Sequence, residues 1–147
     1  MSAEVDPRIV RFLGRHHVLT LATVTDNQPH CCTLFYVYEP DRNRFVVTSS
    51  ESTWHVRQLS ENSRVAGAVA LESKVIGKLQ GIQWRGRMTR PQGEALASAR
   101  KTYLNRFPFA ALMDIELWII EPDYLKLTDN RLGFGKKLIW EAGTDKP

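Results

Sequence analysis

The spacing of apolar residues changes period several times along the chain. Asp6-Pro7 offers an N-cap acceptor followed by proline at the first helical position, and Ile9, Val10, Phe12 and Leu13 follow as an apolar stripe. Gly14 is placed to close that helix in the left-handed conformation. Residues 18–24, 29–38 and 45–49 then read as strands of a meander, divided by Asp26-Asn27 and by a second turn at 39–43. Ser52 or Thr53 caps a short helix to about residue 60, with Val56 and Leu59 facing inward. Residues 64–71 form a fourth strand and 76–88 a long fifth, where Gly77, Gly81 and Gly86 mark a bulge or a close backbone approach. Pro91 starts a helix with Leu96, Ala99, Tyr103 and Leu104 at helical spacing, and Arg106-Phe107-Pro108 ends it. Residues 115–120 and 124–128 read as two strands around a Glu121-Pro122-Asp123 turn, 128–135 as a loop and 137–140 as a last short strand. About seven mostly antiparallel strands, two or three short helices and no βαβ alternation predict a mainly β fold, a closed or split barrel.

The length, 147 residues, and an apolar content of 43% fit one domain spanning 1–147 that buries its own core. The longest smooth apolar run, 65–71, falls far short of the ~20 residues of a bilayer span. Glu4, Asp6 and Pro7 stand where a secretory apolar segment would be, so a cytoplasmic protein is expected. Lys74, Lys78, Arg85, Arg87 and Arg90 fall within residues 74–90 without one acid, and this stretch accounts for the whole net charge of +4. Such a concentration suits an anionic partner, phosphate on a small ligand or on nucleic acid; a solvated basic hairpin is the alternative.

Candidate chemistry is sparse. Cys31 and Cys32 are adjacent, so a strand points them to opposite faces and a disulfide between them is strained. His16-His17 lacks acidic or cysteine partners for a metal. The run Gly133-Phe134-Gly135-Lys136-Lys137 lacks phosphate-loop spacing. Gln83, Arg85 and Arg87 share one strand face, a site face or a solvated one, while Trp84 and Met88 point to the core. Trp118 and Trp140 read as core or interface aromatics.

The meander, the run Phe45-Val46-Val47-Thr48, the short helix with Leu59, Asn62-Ser63-Arg64-Val65 and Gly81-Ile82-Gln83-Trp84-Arg85-Gly86 together resemble the pyridoxamine-phosphate-oxidase-like, FMN-binding split-barrel family. Thr53, His55, Arg106-Phe107-Pro108 and the run from Thr128 through Asn130, Gly133 and Lys136 to Trp140 resemble its small YhbP-type branch. The resemblance covers nearly the whole chain. It implies an antiparallel split barrel, a homodimer, and FMN at the subunit interface, with flavin reductase or oxidase chemistry as the expected activity class. Carried over, the cofactor positions are Thr48, Ser49, Ser50, Ser52, Thr53, Trp54 and His55, where hydroxyls and helix amides suit a phosphate. Gln83, Arg85 and Lys136 are further candidates for the same ligand. Trp54 and His55 replace two adjacent basic residues that grip the phosphate in the best-known oxidases of the family. The rival readings are a barrel that binds flavin without turnover, one that has lost flavin, a nucleic-acid-associated barrel using 74–90, and a haem binder.

Overall fold

The computed structural model describes residues 4–133 and 136–143. Helix α1 (Pro7–Arg15) precedes strands β1 (Val18–Thr25), β2 (Gln28–Glu39) and β3 (Arg44–Thr48). Helix α2 (Trp54–Glu61) follows, then β4 (Arg64–Leu71), β5 (Gln80–Thr89), helix α3 (Gly93–Arg106), β6 (Leu117–Asp129) and β7 (Lys137–Glu141). The strands form one antiparallel sheet in the order β3-β2-β1-β4-β5-β6-β7. A further antiparallel pairing of β3 with β6, from Phe45 opposite Ile120 to Thr48 opposite Leu117, brings the two ends of the sheet together into a barrel.

The sequence pattern explains each wall. On β5 burial alternates without a break, so Ile82, Trp84 and Met88 fill the interior while Gln83, Arg85 and Arg87 face outward. Four of the five β3 residues are buried, because Phe45 and Val47 face the barrel core while Val46 packs with Ala99 and Tyr103 of α3 in a second apolar layer. Helix α1 inserts Ile9, Phe12 and Leu13 into the barrel core, and Tyr36 Oη donates to Leu13 O at 2.7 Å, tying the helix to β2. Asp26 and Asn27 take positive φ, 46° and 62°, which makes the tight β1–β2 turn that their side chains favour.

Four expectations are corrected. The fifth strand starts at Gln80, not 76, because Ile76–Lys78 form a 3₁₀ turn closed by Lys78 N donating to Val75 O. The expected turn at Glu121-Pro122-Asp123 lies instead inside one thirteen-residue strand, β6, at a register shift of its pairing with β5. Pro122 fits there because it lies opposite Gly86, where a bulge at Arg85/Gly86 interrupts the ladder and proline's missing N–H is not missed. Gly14 does not close α1 in the left-handed conformation; the helix runs through Arg15. Helix α3 begins at Gly93 rather than Pro91.

Two glycines are fixed by close approach. A Cβ on Gly67 would lie 2.0 Å from Thr20 O and 2.3 Å from the Trp84 indole. At Gly86 it would lie 2.3 Å from Glu121 O. Gly77 has nothing within 4 Å. Gly67→Ala is therefore expected to cost about 3 kcal/mol, the upper end for overpacking, because backbone and indole must both yield. Gly77→Ala should stay within about 0.5 kcal/mol of the unsubstituted protein. Urea unfolding of the two variants checks the contrast.

Candidate functional site

The segment from Thr48 to His55 turns off the end of β3 and enters α2. It is anchored on the closing edge of the barrel. Ser49 N donates to Glu116 O at 3.1 Å, and Trp118 Nε1 donates to Ser49 O at 3.2 Å, so both backbone groups of Ser49 are held by the start of β6 and the residue before it. Glu51 N donates to Glu116 Oε2 at 2.8 Å. The Arg90 guanidinium, 5.3 Å over the Trp118 ring, pairs with Glu51. Thr48 leaves toward α3, its hydroxyl 3.3 Å from Tyr103 Oη.

Three hydroxyls gather at the start of α2. Ser50 Oγ and Ser52 Oγ are 2.9 Å apart, and Thr53 Oγ1 donates to Ser50 O at 2.7 Å. Thr53 is the N-cap residue, as the sequence suggests, but its side chain makes no cap bond to the helix. The first intrahelical bond belongs to Arg57 N, which donates to Thr53 O. The N–H groups of Trp54, His55 and Val56 accordingly make no hydrogen bond to any described residue. Ser50 and Ser52 are exposed, Thr53 is half-buried, and Trp54 is 55% exposed beside them.

His55 is not a surface residue of the helix. It is 6% exposed, its Nε2 bonded to the Ser49 hydroxyl and 3.3 Å from Thr53 Oγ1. Its ring lies nearly parallel to that of His30, with centroids 6.4 Å apart. Burial, and then the neighbouring His30, hold His55 below its ordinary pKa of 6.5. The neutral imidazole thus supports the loop from beneath. Gln58, one turn on, is also buried: it accepts from the Thr23 hydroxyl and donates to Gln28 O at 3.0 Å, fastening α2 to the β1–β2 hairpin.

The remaining candidates do not join this cluster within one chain. Gln83 and Arg85 lie outward on β5, and Arg85 sits 4.3 Å over the Tyr124 ring. Lys136, exposed, accepts through its backbone O from Asp129 N at the far end of β6. Thr48 pairs with the first residue of that strand, Leu117; a thirteen-residue strand spans roughly 40 Å. Phe134 and Gly135 of the C-terminal motif lie outside the described residues. The basic stretch is dispersed too: Arg87 reaches Ser63 at 3.4 Å, Arg90 pairs with Glu51, and Lys78 lies in the turn before β5. Glu116 and Trp118 also brace the loop: Trp118 is a core aromatic, as its sequence context suggests, whereas nothing local in the sequence points to Glu116, which the barrel closure brings there. Among the described residues no group of three or more His, Cys, Asp or Glu could hold a metal, and no helix is long and apolar enough to cross a membrane.

A profile of pyridoxamine 5'-phosphate oxidase matches residues 5–124. A UPF0306 protein of Klebsiella pneumoniae is 38% identical over 140 residues, 94% of this chain and 95% of its own. The UPF0306 protein YhbP of Escherichia coli O157:H7 is 36% identical over 92% of each chain. Among solved structures, a heme binding protein from Mycobacterium smegmatis superposes with a TM-score of 0.75 at 22% identity over 90% of this chain, which spans only 56% of that protein's length. A FAD-binding protein from Mesorhizobium loti gives 0.69 at 16% identity, over 84% of this chain and 93% of its own. At these identities the structures share the split-barrel fold.

The depressed pKa of His55 carries a sign. The folded state resists protonation, so below about pH 6.5 the unfolded chain takes up the proton first and stability falls as the pH drops toward the folded-state value. His16, lowered mainly by its own burial, acts in the same direction. His55→Gln should lower stability at pH 7.5, yet lose less between pH 7.5 and 5.5 than the unsubstituted protein. Urea unfolding at the two pH values measures this; an unchanged pH slope would contradict the buried neutral imidazole.

Proposed function

The chain belongs to the pyridoxamine 5'-phosphate oxidase family and to its UPF0306 group, and from that premise we propose that it is a homodimeric flavin protein that takes FMN by its phosphate at the start of α2. The carrying observation is the set of open first-turn amides, Trp54, His55 and Val56, beside the hydroxyls of Ser50, Ser52 and Thr53. Converging N–H donors at a helix N-terminus, with polar hydroxyls beside them, are what a phosphate needs. The donor set fits the group even without the adjacent basic pair, because Glu51, the acid within the loop, is already neutralised by Arg90. Ser49 and His55 hold the loop, and exposed Trp54 offers an aromatic face next to it. FMN, when bound, supplies hydride and electron transfer; this chain binds and orients it. The expected activity class is reductase or oxidase.

The dimer is inferred from the outer sheet face. Thr20, Ala22, Ala66 and Ala68 form a low-relief surface across β1 and β4, and Val18, Val24 and Phe35 stand exposed around it. Gln83 and Arg85 flank that surface on β5, so a role for them, or for Lys136, at the flavin requires the second copy. An interface above about 1,000 Å² is expected. Haem ranks second, although a structural neighbour binds it, because His55 Nε2 is engaged by Ser49 and Thr53. Nucleic acid ranks below both, since the side chains of 74–90 are spread along β5 and partly paired.

Calorimetric titration tests the site. FMN should bind, riboflavin should bind at least about tenfold more weakly, and Thr53→Ala, which removes the hydroxyl bond that fixes Ser50 O in the loop, should weaken FMN by up to about tenfold, the ordinary worth of one hydrogen bond. Equal affinity for FMN and riboflavin, or no FMN binding, would overturn the reading. Sedimentation equilibrium should give a dimer at micromolar concentration; a monomer would remove the shared site.

A further inference from the structure

Away from the α2 loop, arginines converge on a second cavity. It has a volume of about 280 Å³, lies between α1 and the turn after β6, and is lined by Arg8, Arg11, Arg15, Gln80, Asp129 and Arg131 together with two leucines. Arg8, Arg11 and Arg15 are spaced i, i+3 and i+7, which puts three guanidiniums on one face of a nine-residue helix that contains no acid. Like charges at those spacings repel and weaken a helix. Two of the four arginines are fixed by carboxylates. Arg8 Nε and Nη2 donate to Asp6 at 3.0 and 2.9 Å, and Arg131 Nε and Nη2 donate to Asp129 at 3.2 and 3.0 Å. Arg11 and Arg15 make no hydrogen bond or ion pair with any described residue. Gln80 is 5% exposed; its Oε1 accepts from Arg131 Nη2 at 3.1 Å, which leaves its Nε2 without a hydrogen-bond partner among the described residues.

We infer that this cavity is a second ligand site, for a compact phosphate-bearing anion. Guanidinium forks match phosphate oxygens in geometry as well as in charge. Arg8 is paired with Asp6 and Arg131 with Asp129, so Arg11 and Arg15 leave the lining with an excess of positive charge, and the Gln80 amide on the cavity wall adds a neutral donor. The volume sits just below the ~300–1,000 Å³ of pockets for drug-sized ligands, which favours a pyrophosphate or a small phosphate ester over a mononucleotide or a flavin. The concave shape favours a small ligand over a nucleic-acid backbone. Binding an anion there would also remove the repulsion along α1, so the ligand should stabilise the fold.

Inorganic pyrophosphate, added to the purified full-length protein in low-salt buffer, is the probe. It should bind by calorimetry and raise the melting temperature. Arg11→Gln combined with Arg15→Gln should weaken it about tenfold or more, and that variant should remain folded because both side chains are exposed. FMN affinity should not change in the same variant, which separates this site from the α2 loop whether or not flavin binds there. Lys74→Gln combined with Lys78→Gln should leave pyrophosphate binding intact. The inference is overturned if pyrophosphate does not bind, if it binds the arginine variant equally well, or if Thr53→Ala rather than the arginine changes abolishes it. It is also overturned if a single-stranded oligonucleotide binds the same arginines more tightly than pyrophosphate does.

Discussion

The loop proposed to receive the flavin phosphate depends on the pairing of β3 with β6. Those four residue pairs, Phe45 with Ile120 through Thr48 with Leu117, turn an open sheet into a barrel. They also bring Glu116 and Trp118 against the segment that leaves β3, so that Ser49 is held through both its N–H and its carbonyl. A loop rich in serine would otherwise sample many conformations. Here its exit direction is set by a sheet, and α2 follows in a fixed place over the barrel end. β3 can be shared in this way because it is apolar on both faces: one face lines the barrel and the other lies under α3.

The second determinant is what the loop does with its hydroxyls. Thr53 sits at the N-cap but spends its hydroxyl proton on Ser50 O, and the Ser49 hydroxyl is taken by His55. The first turn of α2 is therefore left uncapped by side chains. Uncapped amides usually cost a helix about 1 kcal/mol relative to a good cap, and Gln58, fixed to Thr23 and Gln28, offsets this by anchoring α2 on the hairpin. An uncapped, tertiary-anchored helix start is a fitting arrangement for a ligand that completes the cap itself.

Much of the fold could be read from the sequence because period and turn chemistry agreed: the meander, the Asp26-Asn27 turn, the inward Trp84 and Met88 and the bulge at Gly86 all follow from local pattern. The errors share a cause. Pro122 looks like a turn residue, and only the bulge that leaves Asp123 beside it unpaired with β5, opposite Arg85 and Gly86, makes it admissible inside β6. The stretch from Ile76 to Leu79 looks like the start of a strand, yet a 3₁₀ turn claims Ile76–Lys78. The contiguous hydroxyl segment was legible since it is local in sequence, whereas the burial of His55 was not, because packing against β1 and β2 decides which face of α2 is hidden. Charge misled in the same way. Residues 74–90 are basic as a list but spread along β5, while Arg8, Arg11, Arg15 and Arg131, masked in the sum by acids elsewhere in the sequence, meet around one cavity.

In the proposed complex the α2 amides receive a flavin phosphate. Amide proton shifts report that contact directly. In a ¹H–¹⁵N NMR titration, FMN should move the amide protons of Trp54, His55 and Val56 downfield, as expected for new hydrogen bonds to an anion, and riboflavin should not. If FMN binds while those three amides stay unmoved, or if riboflavin shifts them equally, the phosphate is held elsewhere and the account is wrong.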